Sequence, residues 1–286
     1  MKRDQEKKIS LQKKIRKQFV QNGQIPWSEG YNAFKEESII KSISNESLLS
    51  ELSLNRVPTN FGYRLDERII EYPWIFSNLK KEPTLFLDAG STFNFKYILD
   101  HNYISIKKKY IYTYYPERKS YNDKKISYIY GDLRELPFKN EFFEEIVCQS
   151  TIEHIDMDNS IYGYDLESSI AKTANKSYEY LKVINELIRV LKPNGQLLLT
   201  FPYGKFENHG FFQQLDSEMV EKITDIMTGS GIYDIIFYKY LPNGWTIASK
   251  EDCNESESFN PHTQIGKRND YAAHSRAICC LKFIKK

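Results

Sequence analysis

The chain has 286 residues, which is enough for one large domain or for one domain with an appendage, and enough to bury a sizeable core. Its 40 basic and 38 acidic side chains nearly cancel to a formal charge of +2, which disfavours nucleic acid and membrane surfaces as partners. No apolar run reaches the roughly eighteen residues of a membrane span, and no apolar segment follows the first basic residues. We therefore expect neither a transmembrane helix nor a secretory signal.

The four cysteines do not have the spacing of a metal site. Cys279 and Cys280 are neighbours in an apolar run, where successive side chains of a strand face opposite ways. We expect all four, including Cys148 and Cys253, to be buried free thiols in a reducing compartment, which predicts a cytoplasmic protein. No other pattern predicts a metal site, and none predicts an oligomeric state.

Residues 1–60 are polar with a helical pattern and are predicted to form an N-terminal helical extension. Basic side chains cluster at its start and fit either a solvated helix face or an arm that touches an anionic surface. In the next segment, Asp66 is predicted to cap a helix that contains Pro73, a residue that kinks helices. The apolar face of this helix is formed by Ile69, Ile70, Trp74 and Ile75.

Strand and helix periods alternate from residue 83 onward. Apolar runs predict five strands, at 85–89, 109–115, 126–130, 145–150 and 196–201. Helical patterns occur at 95–99, 176–191 and 212–229, and two late strands are predicted at 232–238 and 277–284. This alternation predicts βα units, a parallel sheet and right-handed crossovers.

Acidic residues and a glycine follow the first three strands. Asp88 and Gly90 come at the end of the first strand, Glu117 follows the second, and Asp132 follows the third. Ligands of open α/β sheets bind beyond the carboxyl ends of the strands, and a glycine there lets backbone N–H groups approach the ligand. The sequence therefore predicts a ligand crevice at this edge.

Three stretches in this order resemble the class I S-adenosylmethionine-dependent methyltransferases. They read LFLDAGS at 85–91, GDLRELPF at 131–138 and LKPNGQLLLT at 191–200. The exit of the fourth strand, STIEHI at 150–155, is similar to the S-T-L-E-H-V segment common in that family. The resemblance covers about residues 61–286, and the ordered set carries it.

The resemblance implies a Rossmann-like, doubly wound α/β fold. Its sheet has seven strands, mostly parallel, with an antiparallel last strand. Residues 61–286 would form the S-adenosyl-L-methionine-binding domain, after the extension of residues 1–60.

In this family an acid and glycines surround the methionine end of the cofactor. The resemblance places Asp88, Ala89, Gly90 and Ser91 in that position. The chain departs from the D-x-G-x-G-x-G pattern, because Thr92 and Asn94 stand where the second and third glycines would be. The loop is therefore expected to have a different conformation.

The resemblance assigns the ribose hydroxyls to Glu117 and the adenine amino group to Asp132, with Leu133 packed on the ring. Glu117 lies 29 residues after Asp88 (117 − 88), which requires a longer connection than the usual one of about twenty residues. The alternatives are that Glu117 is an exposed turn carboxylate and that Asp132 only caps a turn.

Cofactor and acceptor are expected to meet at the exit of the fourth strand, where Ser150 is assigned to the cofactor. His154 is a candidate general base because the ordinary histidine pKa lies near neutrality, and Glu153 is a second catalytic candidate. The alternative is that Glu153 and His154 only hold the loop. The acceptor pocket is expected to include 157–165 and 201–204.

The implied reaction is methyl transfer from S-adenosyl-L-methionine to an oxygen or nitrogen nucleophile of a small-molecule or glycan-type acceptor, without a metal. A nicotinamide-dependent oxidoreductase is disfavoured because Gly90-Ser91-Thr92-Phe93 lacks the G-x-G-x-x-G motif. A catalytically degenerate member of the fold that acts as a binding or scaffold protein remains the main alternative, because two of the glycines are missing.

Overall fold

The computed structural model describes residues 2–117, 119–162 and 175–286. The helices are α1 (Lys2–Gln21), α2 (Tyr31–Ile43), α3 (Glu46–Ser53), α4 (Arg68–Asn78), α5 (Lys96–Leu99), α6 (Asn102–Ser105), α7 (Tyr180–Val190), α8 (Ser217–Thr228) and α9 (Lys250–Cys253). The strands are β1 (Leu85–Ala89), β2 (Lys108–Thr113), β3 (Ile126–Tyr130), β4 (Phe143–Gln149), β5 (Leu191–Pro202), β6 (Glu207–Asn208), β7 (Gln213–Gln214), β8 (Gly231–Leu241), β9 (Gly244–Ala248) and β10 (Ala277–Lys285).

Eight strands form the main sheet in the order β3-β2-β1-β4-β5-β10-β8-β9. β3, β2, β1, β4 and β5 are parallel, and β10 inserts antiparallel between β5 and β8. The predicted α/β fold with an antiparallel last strand is confirmed. The predicted count of seven is one strand short, because β9 pairs antiparallel with β8 at the sheet edge.

Each face of the sheet carries its own hydrophobic core, which makes three layers. Cys279 faces the core under α7 and α8, whereas Cys280 faces the core under α4. All four cysteines are buried free thiols, and burial raises the pKa of Cys279 and Cys280 well above the ordinary value. The predicted alternation of these side chains across the last strand is therefore confirmed.

The helices α1 to α3 pack with α4 over one face of the sheet. Phe19 and Tyr31 share a core with Trp74 of α4 and with Phe86 of β1. Pro73 lies inside α4, as predicted. The division of the chain at residue 60 into an extension and a domain stays a prediction.

Several predicted elements have different bounds. The helical pattern at 212–229 begins as a helix only at Ser217, because Gln213 and Gln214 pair with β6 in a hairpin. The helix predicted from residue 176 begins at Tyr180. Among the described helices, none combines the length and the apolar character that a membrane span requires.

Candidate active site

A cavity of about 320 Å³ lies at the carboxyl edge of β1 to β4, which is the edge that the sequence predicts. The predicted residues that line it are Gly90, Glu117, Asp132, Leu133, Ser150 and His154. Further lining residues include Arg68, Thr92, Arg134, Ile155, Met157 and Asn159. Asp88, Ala89, Ser91 and Glu153 are not among the lining residues.

Asp88 is fully buried at the end of β1 and holds the following loop from beneath. Its Oδ1 accepts hydrogen bonds from the Thr92 backbone N–H (3.1 Å) and hydroxyl (3.3 Å), and its Oδ2 accepts one from the Phe93 N–H (2.8 Å). Burial raises the pKa of Asp88 to about 7, although these hydrogen bonds favour the charged form. Asp88 therefore shapes the cavity wall through the backbone of residues 92–93.

The backbone strain of this loop lies at Gly90 and Ser91, which have φ values of +119° and +62°. A Cβ on Gly90 would come within 2.2 Å of the Thr151 hydroxyl oxygen, so only glycine fits there. Thr92 and Asn94 are not among the described residues with positive φ. The loop accommodates these two replacements of glycine without strain at either position.

The ends of β2 and β3 bring Glu117, Asp132 and Leu133 to the cavity. Asp132 accepts a bifurcated hydrogen bond from Arg134 Nε (3.1 Å to Oδ1 and 3.0 Å to Oδ2) and another from its Nη2 (2.6 Å). Although burial opposes it, this pair keeps the pKa of Asp132 below its usual value. Arg134 also donates to Glu179 just before α7 (3.0 Å), so the guanidinium that pairs with Asp132 is held at a second point.

The helix α4 contributes two residues that the sequence analysis did not single out. Arg68 lines the cavity, with 27% of its side chain exposed, and its Nη1 donates to Glu71 Oε2 (2.9 Å). Glu71 is fully buried, and its Oε1 accepts hydrogen bonds from the hydroxyls of Ser150 and Thr200 (2.6 Å each). One carboxylate thus ties α4 to the exits of β4 and β5. The only indication in the sequence is that Arg68 and Glu71 are charged, lie three residues apart and adjoin the apolar face of the helix.

His154 lies on a short 3₁₀ helix, Ile152–His154, after β4. Its Nδ1 is 2.7 Å from the carbonyl oxygen of Phe211, in the loop of the β6–β7 hairpin. Because a carbonyl only accepts, Nδ1 carries the proton in the neutral ring and Nε2 is the basic nitrogen. Burial lowers the pKa of His154 to about 4, so the ring is neutral at neutral pH.

Glu153 is buried beside His154, with its Oε1 4.0 Å from His154 Nε2. Its Oε2 is buried and has no hydrogen-bond partner among the described residues. Burial raises the pKa of Glu153 well above its ordinary value, although Arg68 opposes this. The environment of Glu153 therefore disfavours its charged form.

The expected acceptor regions are only partly at the cavity. Met157 and Asn159 line it, whereas residues 163–165 lie outside the described part of the chain. The segment at 201–204 does not line the cavity, because Tyr203 is buried and its hydroxyl donates to Asn254. Trp245 of β9 does not line the cavity either, since it is buried with its Nε1 donating to the Leu65 carbonyl (3.0 Å).

Residues 103–199 match the family described as Methyltransferase domain. This match runs from α6 into β5 and includes Glu117, Asp132 and His154, which follow β2, β3 and β4. A search of curated proteins gives no match. The match covers about a third of the chain, and the strand order agrees with the resemblance to the class I S-adenosylmethionine-dependent methyltransferases, whose cofactor is S-adenosyl-L-methionine.

Solved structures of similar fold include a Burkholderia thailandensis 1,6-didemethyltoxoflavin-N1-methyltransferase with bound 1,6-didemethyltoxoflavin and S-adenosylhomocysteine. It is 10% identical, over 72% of this chain and 72% of that one, with a TM-score of 0.42. A SAM-dependent methyltransferase from Methanosarcina mazei is 12% identical, over 74% of this chain and 97% of that one, with a TM-score of 0.41. These values are too low for a property of either protein to be carried over.

The lining residues fit the chemistry of this cofactor. Its ribose hydroxyls and adenine amino group are hydrogen-bond donors, and the cavity offers the carboxylates of Glu117 and Asp132. Its adenine ring is apolar on both faces, and Leu133 is apolar. Its methionine end carries a carboxylate, and Arg68 supplies a cation.

Proposed function

We propose that this chain is an S-adenosyl-L-methionine-dependent methyltransferase that methylates an oxygen or nitrogen nucleophile of a small-molecule or glycan-type acceptor, without a metal, and that His154 is the general base. The observation that carries this proposal is the hydrogen bond from His154 Nδ1 to the Phe211 carbonyl. It leaves Nε2 as the basic atom of a neutral ring that lines the cavity. When bound, the cofactor supplies an activated methyl group.

In this proposal, different residues of the cavity wall bind different parts of the cofactor. Glu117 accepts hydrogen bonds from the ribose hydroxyls, Asp132 accepts one from the adenine amino group, and Leu133 packs on the ring. Asp88 acts through the loop that it holds, together with Ala89, Gly90 and Ser91. Ser150 lines the same cavity and is assigned to the cofactor in this proposal.

We further propose that Arg68 binds the carboxylate at the methionine end of the cofactor. Glu71 anchors one guanidinium nitrogen, and the lining residues Gly90, Thr92 and Ser150 bind this end of the cofactor in the same proposal. An anchored guanidinium needs little further ordering to bind a carboxylate, because its planar shape is already fixed.

The acceptor nucleophile would lie near His154, between Ile155, Met157 and Asn159. Alignment in a cavity that excludes water accounts for much of the rate enhancement in such a transfer. His154 Nε2 then takes the proton that an alcohol or an ammonium acceptor loses. A group of three or more metal-ligating side chains in suitable positions does not occur in the described part of the chain.

The test is turnover of S-adenosyl-L-methionine with a panel of hydroxyl and amine acceptors, with and without EDTA. We expect His154→Gln to lower kcat by about a hundredfold or more while the affinity for S-adenosylhomocysteine is unchanged. The matched control is His262→Gln, since His262 is exposed and its ring packs edge-on against Phe211. Equal losses in both variants, or loss of activity in EDTA, would contradict the proposal.

The pH profile gives a second readout of the same proposal. The pKa of His154 is about 4, so the base stays unprotonated as the pH falls through 6.5. We expect the acid limb of kcat, measured at saturating cofactor, to lie nearer pH 4 than pH 6.5.

If S-adenosylhomocysteine binds but no acceptor consumes the cofactor, the scaffold alternative gains support.

The cellular location is also a proposal. The four buried free thiols favour a reducing compartment, and we propose the cytoplasm.

A further inference from the structure

Asn94 occupies the position of the third glycine in the family pattern, and its side chain has partners outside its own loop. It is 8% exposed. Its Nδ2 donates a hydrogen bond to the Lys119 carbonyl oxygen (3.0 Å), and its Oδ1 accepts one from the Tyr128 hydroxyl (2.9 Å). A glycine at this position would make neither hydrogen bond.

The Tyr128 hydroxyl extends this contact, since it accepts a hydrogen bond from the Tyr121 backbone N–H (3.1 Å). Asn94 therefore holds the segment after β2 at two points, directly at residue 119 and through Tyr128 at residue 121. Glu117 lies two residues before the first of these points and lines the cavity. Asn94 therefore ties the segment that follows Glu117 to the loop after β1.

We propose that Asn94 is a positioning residue that holds the Glu117 carboxylate against the ribose of the cofactor. This inference rests on the proposed role of Glu117 as the ribose acceptor. Glu117 follows Pro116 in a connection between strands, and ordering such a segment costs conformational entropy. Asn94 orders this segment when the protein folds, so the conformational entropy is lost before the cofactor binds.

The test is a double-mutant cycle on the affinity for S-adenosylhomocysteine, measured by calorimetry on the full chain. The variants are Asn94→Ala, Glu117→Gln and the double variant. We expect Glu117→Gln to weaken binding about tenfold or more, as for a lost hydrogen bond to a charged group, and Asn94→Ala to weaken it by a similar factor. In the Glu117→Gln background, Asn94→Ala should have little further effect.

The ligand provides a second cycle that a purely structural role of Asn94 would not affect. S-adenosylhomocysteine is compared with its 2′-deoxy and 3′-deoxy analogues. If Asn94 acts through Glu117, the Asn94→Ala penalty shrinks for the analogue that lacks the hydroxyl bound by Glu117. If Asn94 only stabilises the fold, the penalty is the same for all three ligands.

Three further variants control for side effects. Tyr128→Phe removes the bridging hydroxyl and should weaken binding, whereas Tyr130→Phe removes an exposed hydroxyl from the same strand and should not. Lys119→Ala keeps the carbonyl that Asn94 contacts and should bind as the unchanged protein does.

The outcomes separate this inference from the proposed function. Unchanged affinity in Glu117→Gln would refute the ribose role of Glu117, and the inference with it. Weaker binding by Glu117→Gln together with unchanged affinity in Asn94→Ala, or with additive penalties, would overturn the inference alone.

Discussion

Two buried glutamate side chains lie at opposite ends of the parallel strands. Glu145 lies near the edge of the sheet where these strands begin, and Glu153 lies beyond the edge where they end. Glu145 Oε1 accepts hydrogen bonds from the Lys80 backbone N–H (2.8 Å) and Gln196 Nε2 (2.6 Å). Its Oε2 accepts from the Thr84 hydroxyl (3.1 Å) and Lys107 Nζ (2.5 Å). Both Glu145 and Lys107 are inaccessible to solvent, so this is a fully paired buried ion pair.

Glu153 has the opposite surroundings. Its Oε2 has no partner among the described residues, and burial raises its pKa well above the ordinary value. Nearby, burial opposes ionisation of Glu67, but the charge of His274 lowers the pKa of Glu67 to about 2. The same contact raises the pKa of His274, although burial opposes that as well.

The difference separates a structural carboxylate from one in a functional region. A buried group with all its hydrogen bonds made fixes the chain and has no capacity left for a ligand. An edge where several pKa values are shifted in different directions is where acid and base chemistry is expected. The cavity opens at that second edge, beside His154.

The largest effect on stability is expected from breaking the buried ion pair between Glu145 and Lys107. Glu145→Gln leaves Lys107 as a buried charge without its partner, which should lower the free energy of unfolding by about 3–5 kcal/mol. Urea denaturation measures this loss, and the affinity for S-adenosylhomocysteine should not change.

Glu144→Gln is the matched control for this change. Glu144 also accepts a backbone N–H, from Leu85 (2.6 Å), but it is 39% exposed and pairs with Lys192 at the surface. Its loss should cost about 1 kcal/mol or less. Similar losses in both variants would show that burial does not distinguish the two carboxylates.

How far the sequence predicts this structure depends on the range of the contacts. The strands and their order follow from local apolar runs and from the family resemblance, and Asp132 and Leu133 follow a strand that can be located by pattern. The role of Glu71 cannot be predicted in this way, because its partners Ser150 and Thr200 lie 79 and 129 residues away in the chain.

The predicted site residues differ for the same reason. Gly90, Ser150 and His154 reach the cavity directly, whereas the partner of His154 is the carbonyl of Phe211, which no side-chain pattern reveals. Asn94 is similar, since its partners come from the loop after β2 and from β3. A motif locates the backbone of a site, but the hydrogen bonds that orient its side chains depend on tertiary packing.

An intermediate effect is expected at Glu71, which joins the site to the fold. Glu71→Gln replaces one accepting oxygen with a donor, so that a hydroxyl or the Arg68 guanidinium loses its acceptor. The free energy of unfolding should fall by about 2–3 kcal/mol, and cofactor affinity should fall because Arg68 loses its anchor. Calorimetry and urea denaturation measure the two effects.

Thr200→Val is the control, because it removes only one of the hydroxyls that donate to Glu71. It should cost about 1 kcal/mol of stability and leave cofactor affinity unchanged. Unchanged affinity in Glu71→Gln would mean that Arg68 does not depend on this carboxylate.

The smallest effect is expected at Glu153, and its pH dependence gives the sharpest form of the comparison. Glutamine has the shape of a protonated glutamic acid, so Glu153→Gln should change the free energy of unfolding by about 1 kcal/mol or less at pH 4.5, in contrast to Glu145→Gln. Because the folded pKa of Glu153 lies above its unfolded value, the folded state retains a proton that the unfolded state releases. The stability of the unchanged protein therefore falls as the pH rises above about 4.5, and the variant lacks this loss. Urea denaturation from pH 4.5 to 8 should show Glu153→Gln gaining relative stability as the pH rises. A difference that does not change with pH would show that Glu153 ionises in the folded protein as readily as in the unfolded one.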